Sequence, residues 1–265
     1  MRLFVVGALL SAGVIAGVMW AVSLGAADPS RPVTRTQPPL EAVDSSGNGH
    51  DGVNQGRPSV GLPGRSGTSY SFHRDGSWVQ VASNPRLNPQ SRDFRVSAWI
   101  NFSHRPVRRE TYDIARKGLA FTPGGEFKLE IVPPGHVRCS AKDSSGATAM
   151  VTHREIDVAD GAWHHVACAR TGTLWSAVVD SRVVSQEVAL ERIGNTVAIA
   201  IGSKYGREDG VAGRVDEVKL AIARPGQDPA TISGDRDERL KDLRRHHVVG
   251  LWHLDETPQE TPVGQ

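Results

Sequence analysis

The chain has 265 residues, enough for one large all-β domain with a sizeable core or for two small domains. Its 31 Lys and Arg residues nearly balance its 29 Asp and Glu residues, which gives a net charge of +2. Because the positive and negative charges are so nearly balanced, a polyanion is not expected to be the main partner, and nucleic acid is therefore not expected.

An apolar segment begins directly after Arg2 and carries no charge before Asp28. One positive residue followed by an apolar run is typical of an export signal. The run from Leu3 to Leu24 is longer than a usual signal core and close to the about 20 residues that span a bilayer. Residues 1–27 are therefore predicted to be a cleaved signal peptide or an uncleaved membrane anchor. Either way, the remaining chain is expected to be extracellular or at the cell surface.

The next stretch, residues 28–39, contains four prolines and no hydrophobic period, so it is predicted to be an extended linker. The folded unit is expected to cover residues 40–258, with residues 259–265 as a short tail. One large domain is the simplest organisation for a segment of this length.

The folded unit opens with the polar, glycine-rich stretch "EAVDSSGNGHDGVNQG". Oxygen-bearing side chains at Asp44, Ser46 and Asn48 resemble the first half of an EF-hand calcium loop. The twelfth loop position is Gln55 instead of the bidentate Glu, and neither flank has a helical pattern. The stretch is therefore not an EF-hand. It is either another kind of calcium loop or a turn held by Asp and Asn side chains that bond to their own backbone.

Short runs rich in β-branched and aromatic residues follow, separated by Gly, Pro, Asn and Asp clusters, which predicts antiparallel β-strands. The candidate strands are "WVQVA", "FRVSAWINF", "FKLEIV", "HVRCSA", "WHHVACAR", "LWSAVV", "VAIAIG" and "RVDEVKLAIA". Only Asp228–His247 is predicted to be a helix, because it has a proline near its start and basic residues in its last turn. The fold class is therefore all-β, an antiparallel β-sandwich with one short C-terminal helix.

Six motifs in this order resemble the laminin G-like jelly roll of the concanavalin A-like lectin and glucanase superfamily. They cover about Leu40–Ala223 and read "DSSGNGHDG", "YSFHRDGSWVQV", "FRVSAWINF", "DGAWHHVACARTG", "AVVDS" and "GRVDEVKLA". The stretches around the two cysteines are similar to a cysteine-bearing branch found in exported actinobacterial proteins. In place of the family's Val-Asp-Gly hairpin the chain has Val179-Asp180-Ser181, so a different turn geometry is expected there.

The resemblance implies one structural calcium ion. Carried over to this chain, its ligands would be Asp44, Asn48, the backbone carbonyl of His50 and Asp216. Such oxygen donors suit calcium. The resemblance and the oxidising location also favour a disulfide between Cys139 and Cys168; two buried free thiols are the alternative.

An enzyme is the less favoured class. Glucanases of this superfamily need paired carboxylates on one strand face. The nearest candidates are Glu126 with Glu130, and Asp216 with Glu217, but neither pair has the expected Glu-x-Asp-x-x-Glu pattern. His164 and the adjoining His165 are expected to be structural. No catalytic residue is therefore assigned.

A lectin function is suggested by the six tryptophans, although Trp99, Trp163 and Trp175 lie in alternating strands and are expected in the core. Two loops, residues 102–113 and 202–210, have the Arg, Tyr and Asp content that suits a polar glycan or an acidic protein surface. No individual ligand-binding residue can be named. We expect a non-catalytic module that binds carbohydrate or a cell-surface protein; a polysaccharide hydrolase or a membrane-tethered spacer is the alternative.

The tail contains a strand-like motif, Trp252–Glu256, that in the resembled family precedes the glycine-rich loop. Two interpretations follow. The motif begins a second domain that was lost, or the chain returns after the helix and places this strand beside the first loop, as in a circular permutation. Burial of its apolar side chains favours the second interpretation.

Overall fold

The structure is a computed structural model and describes residues 35–37, 41–74, 76–225 and 248–261. The predicted signal peptide or anchor, residues 1–27, and the predicted helix Asp228–His247 lie outside these ranges. Within them, no helix combines the length and the apolarity that crossing a membrane requires.

Two antiparallel sheets form a sandwich, which confirms the predicted jelly-roll fold class. The first sheet has the order β11-β10-β9-β8-β15-β6-β3-β2. Its strands are β2 (Glu41–Ala42), β3 (Gly52–Gln55), β6 (Trp78–Val81), β8 (Tyr112–Lys117), β9 (Glu126–Val132), β10 (His136–Lys142), β11 (Thr148–His153) and β15 (Ile199–Ile201).

The second sheet has the order β14-β13-β12-β7-β16-β5-β4, with β17 as an additional partner of β16. Its strands are β4 (Ser59–Pro63), β5 (Thr68–His73), β7 (Phe94–Asn101), β12 (Trp163–Thr171), β13 (Leu174–Val179), β14 (Arg182–Glu187), β16 (Ala212–Ile222) and β17 (Val248–Trp252). A short 3-10 helix covers Pro85–Leu87. Strands β1 (Arg35–Gln37) and β18 (Gln259–Thr261) pair with each other, so part of the predicted linker meets part of the predicted tail.

The core lies between the two sheets and is joined by aromatic contacts and a disulfide. The ring of Phe94 on β7 lies 5.1 Å from that of Phe127 on β9 and 5.8 Å from that of Trp175 on β13, measured between centroids. The predicted disulfide is present and links Cys139 on β10 to Cys168 on β12, one cysteine from each sheet. The Trp175 indole N–H donates to the carbonyl oxygen of Cys139 at 3.0 Å. A disulfide, a hydrogen bond and ring packing therefore all stabilise this part of the core.

The prediction that three strand tryptophans are buried is correct for one of them. Trp175 is buried, but Trp99 and Trp163 lie half-buried at outward-facing positions of β7 and β12. Alternate residues of a strand point to opposite faces, and these two face away from the sandwich interior. The Arg65 guanidinium lies 4.7 Å from the Trp99 ring centroid, and that of Arg214 lies 5.3 Å from the Trp163 centroid. Both rings are therefore half covered by cations.

The hairpin turn between β13 and β14 contains no glycine. Asp180 has a φ of 48° and Ser181 a φ of 83°. Positive φ at both central residues is the requirement of a type I′ hairpin turn. The turn therefore has the left-handed geometry of a tight two-residue hairpin although serine replaces glycine.

The tail strand β17 pairs with the second half of β16. Strand β16 pairs with β5 over residues 212–215 and with β17 over residues 218–221, where Val218 lies opposite Trp252. Trp252 and Leu254 are both buried in the core. The tail therefore continues the second sheet where β5 ends.

The tail also contacts the loop between β2 and β3 of the first sheet. Leu251 N–H donates to Asp44 Oδ1 at 2.9 Å, and Ser45 N–H donates to the Leu251 carbonyl at 2.8 Å. The Trp252 indole N–H donates to the His50 carbonyl at 2.8 Å. The tail strand thus lies beside the first loop and forms part of the domain.

We predict that Trp252→Ala lowers the free energy of unfolding by about 3–5 kcal/mol, because it empties a core position and leaves the His50 carbonyl without its donor. Urea unfolding of the full chain measures this loss. Thr257→Ala is the control, since Thr257 lies in the same tail with an exposed side chain. Equal midpoints for Trp252→Ala and wild type would show the tail to be an appendage.

Candidate functional site

Both loops that the sequence analysis selected for ligand binding meet beside Arg74. The Arg74 N–H donates to the Val211 carbonyl at 3.0 Å, and the Asp113 N–H donates to the Asp209 carbonyl at 2.9 Å. A cleft of about 700 Å³ opens here at one end of the second sheet; the 102–113 loop contributes to its lining and the 202–210 loop does not. We call it the Arg74 cleft; its lining includes His73, Arg74, His104, Arg105, Tyr112 and Arg214.

The strand register explains how Asn101 and Arg214 come to lie together in the lining of the Arg74 cleft. Asn101 at the end of β7 lies opposite Trp163 on one side and opposite Arg214 on the other. Arg214 donates to Asn101 Oδ1 and to the Pro63 carbonyl, each at 2.9 Å, while its guanidinium covers the Trp163 ring. Gly213 has a φ of 149°, and a Cβ there would lie 2.3 Å from the Phe102 ring. Only glycine can therefore occupy position 213 without a clash.

Cationic groups dominate the Arg74 cleft. The described lining residues include three arginines and two histidines but no carboxylate. Arg74 pairs with Glu110 at 2.6 Å just outside the lining, and this hydrogen bond lowers the pKa of Glu110. Arg105 donates from Nε to Asp157 at 2.9 Å. Arg108 is exposed on the same loop. The cleft is therefore suited to a ligand with acidic or strongly hydrogen-bonding groups.

Sequence analysis found the two loops but did not name Arg74 or Arg214. Both arginines lie on or next to strand ends outside those loops, in stretches that look like ordinary sheet. Only the pairing of β12, β7 and β16 brings Trp163, Asn101 and Arg214 side by side. No local pattern in the sequence contains that information.

Three of the four predicted calcium ligands lie together in the first loop. Asp44 Oδ1 accepts from the N–H groups of Ser46 and Leu251, and Asp44 Oδ2 accepts from that of His50, all at 2.9 Å. Burial raises the pKa of Asp44, but these hydrogen bonds outweigh burial and hold the pKa below its usual value. Asn48 donates from its amide to Ser46 Oγ at 2.9 Å. The oxygens of Asp44 therefore already satisfy three backbone donors, as in a turn held by its own Asp side chain.

Asp216, the fourth predicted ligand, contacts a different loop. Its Oδ2 accepts from the N–H groups of Arg65 at 2.7 Å and Ser66 at 3.1 Å, in the turn between β4 and β5. Its Oδ1 is buried with no hydrogen-bond partner, and burial raises the pKa of Asp216 to about 6. A cation would suit that oxygen. The hydrogen bonds of Asp216 are thus made to the β4–β5 turn, whereas those of Asp44 are made within the first loop and to the tail.

No group of three or more His, Cys, Asp or Glu side chains in the described part of the chain is arranged to hold a metal ion. The calcium set also includes an amide and a carbonyl, so this observation does not decide on calcium. Calcium stays a prediction of the sequence.

The carboxylates considered for glycoside hydrolysis are engaged in buried ion pairs. Glu126 and Glu130 project from the same face of β9, and both are buried. Glu126 Oε2 accepts from Arg116 at 2.8 Å. Glu130 accepts from Lys128 at 2.9 Å and from Arg138 at 2.7 Å, and the net effect of its surroundings is a lowered pKa despite burial. Glu130 is therefore held ionised by its basic partners within the sheet face.

His164 has a structural arrangement as well. Its Nδ1 lies 2.6 Å from Asp180 and its Nε2 lies 3.0 Å from Asp160. Burial lowers the pKa of His164, but the two carboxylates outweigh burial and raise it above the usual value. Both ring nitrogens of His164 therefore have carboxylate partners.

Comparison with known families and structures agrees with the observed fold. A laminin G-type model described as the concanavalin A-like lectin/glucanases superfamily matches residues 73–223. A search of curated proteins gives no match. Domain 4 of AbnA, an extracellular arabinanase from Geobacillus stearothermophilus solved with arabinotriose, is similar with a TM-score of 0.51, 15% identity and coverage of 71% of this chain and 92% of that domain.

Two further structures are similar at the same low level of identity. The botulinum neurotoxin serotype D binding domain has a TM-score of 0.51 and 14% identity, covering 69% of this chain and 44% of that one. Tailspike protein 2 of bacteriophage CBA120 has a TM-score of 0.49 and 12% identity, covering 83% of this chain. The chain spans 34% of the tailspike chain, about a third of its length. At these identities the likeness concerns the fold alone.

We predict that Asp44→Ala lowers the free energy of unfolding by about 3 kcal/mol, because it leaves the backbone donors of Ser46, His50 and Leu251 without their acceptor. Urea unfolding in the presence of a chelator measures this effect without any contribution from a bound cation. Asn48→Ala is the control, since its exposed amide lies in the same loop. A loss no larger than that of the control would contradict the hydrogen-bonding role.

Proposed function

Since the chain belongs to the concanavalin A-like lectin/glucanases superfamily, we propose that it is a non-catalytic module that binds a carbohydrate or a cell-surface protein at the Arg74 cleft. The observation that carries this proposal is a large cleft lined by three arginines and two histidines without a carboxylate among the described lining residues. Arginine forks hydrogen-bond well to carboxylate and sulfate groups. An acidic glycan is the ligand we favour.

A position outside the cytoplasm supports this role. The apolar segment after Arg2 is typical of export, and the disulfide between Cys139 and Cys168 is typical of an oxidising compartment. The arabinanase domain of similar fold was solved with arabinotriose. Carbohydrate is therefore the ligand class to be tested first.

The burial and the hydrogen-bond partners of the candidate carboxylates support a non-catalytic role. Retaining and inverting hydrolases need two carboxyl groups that reach the sugar. Glu126 and Glu130 are buried in ion pairs, Glu217 accepts from His253 at 2.7 Å, and Asp216 accepts from the backbone of the β4–β5 turn. None of them faces the Arg74 cleft, where the ligand would bind.

We predict that a double substitution, Arg105→Gln with Arg108→Gln, weakens binding of an acidic glycan at least about tenfold, because it removes one cation from the lining of the Arg74 cleft and a second, exposed cation from the same loop. A glycan array followed by calorimetry at two salt concentrations measures this, and wild-type affinity should fall as salt rises. Arg86→Gln is the matched control, since Arg86 is an exposed arginine in the 3-10 helix.

Three outcomes would contradict the proposal. One is equal binding by the double variant and the wild type. Another is the absence of any bound glycan or surface protein. Release of reducing sugar from a polysaccharide by the wild type, measured in parallel, would instead identify a hydrolase.

We also propose calcium as a stabilising ion, supported by the buried and unpartnered Oδ1 of Asp216. Binding by the whole predicted set would require Asp44 to exchange amide hydrogen bonds for the cation. Calcium should then raise the melting temperature, a chelator should lower it, and Asp216→Asn should abolish the response. Asp160→Asn, a change at an exposed aspartate, should keep it. A melting temperature that changes with neither calcium nor chelator would reject the site.

A further inference from the structure

A second cavity lies on the outward face of the second sheet, away from the Arg74 cleft. It has a volume of about 390 Å³. Its floor follows from the strand register: Arg95, Ser97 and Trp99 alternate along the outer face of β7, and Lys219 on β16 lies opposite Ser97. His165 on β12 lies opposite Trp99. We call it the sheet-face cavity.

Lys219 and Arg95 give the sheet-face cavity two cationic side chains. Arg95 is buried in the floor, whereas Lys219 is half-buried and lies opposite the buried Ser97 in the strand register. The carboxylate among the described lining residues is that of Asp180. Asp180 Oδ1 accepts from the His165 N–H at 2.8 Å, and its Oδ2 lies 2.6 Å from the His164 ring. The hydrogen bonds of both Asp180 oxygens are therefore made to His164 and His165.

Trp99 forms an apolar wall next to these polar groups. The His165 ring meets the Trp99 ring edge-on at 5.3 Å between centroids, and the Arg65 guanidinium lies over the Trp99 ring. The Arg65 backbone N–H donates a hydrogen bond to Asp216, which fixes the position from which the Arg65 side chain starts. One aromatic wall, a buried hydroxyl and two cationic side chains in a cavity of this size are the features of a small polar ligand site.

We propose that the sheet-face cavity binds a singly charged acidic sugar, with its carboxylate or sulfate on Lys219 Nζ and a hydroxyl on Ser97. The volume lies near the lower end of the range for ligand pockets and suits one or two sugar rings. A charge-assisted hydrogen bond to an ammonium is stronger than a neutral one, so acidic sugars bind in preference to neutral ones. This site does not depend on ligand binding at the Arg74 cleft.

An NMR chemical-shift titration tests the proposal. The full chain is titrated in turn with D-glucuronic acid, N-acetylglucosamine 6-sulfate and glucose. At least one acidic sugar should bind at millimolar concentration and shift the Trp99 indole signal, whereas glucose should bind at least about tenfold more weakly. The two acidic probes distinguish a carboxylate ligand from a sulfate ligand. No binding by either acidic sugar, or equal binding by glucose, would overturn the proposal.

Variants locate the bound sugar. Lys219→Gln should weaken binding of the acidic sugar at least about tenfold and Lys219→Arg should retain it, because only the first removes the charge. Lys142→Gln is the matched control, a half-buried lysine on the first sheet. Unchanged affinity in Lys219→Gln, with an unchanged melting temperature, would show that the sugar binds elsewhere.

Discussion

The burial of Trp252 is the interaction on which the rest of the domain depends. Its indole occupies the core and donates a hydrogen bond to the His50 carbonyl in the first loop. Its backbone belongs to β17, which extends the second sheet. Without β17, the second half of β16 would present an open edge, because β5 pairs only with the first half. An open edge and an empty core position are both costly, so the tail and the first loop can be stable only together.

The change of partner along β16 also explains the position of Asp216. The register shifts between residues 216 and 219, and Glu217 has a φ of 52°. A bulge bends the strand and redirects its side chains. Asp216 consequently accepts from the turn between β4 and β5, while Glu217 meets His253 of the tail. The bulge therefore gives two adjacent carboxylates of one strand partners in two different segments, the β4–β5 turn and the tail.

Sequence patterns predict the strands and the disulfide well because these depend on local alternation and on compartment. All eight candidate strands occur, whereas the shorter or more polar strands, such as β3 and β14, give no comparable signal. The face of a tryptophan is less predictable. Trp99 was expected inside, but it lies an odd number of residues from inward-facing Phe94 and so points outward. The contacts of Asp44 with Leu251 could not be predicted in detail, since register across 207 residues is a tertiary property.

The near-neutral net charge conceals an uneven distribution of charge. On the outer face of the first sheet, the buried carboxylates of Asp113 and Glu126 both accept from Arg116, so acidic groups are neutralised within the sheet. On the second sheet, arginines line the Arg74 cleft with no carboxylate among the described lining residues. Screening limits the reach of such a patch to about 8–10 Å at physiological salt. A field of this range acts mainly on groups within the cleft itself, so the near-neutral net charge of the whole chain does not determine the local charge there.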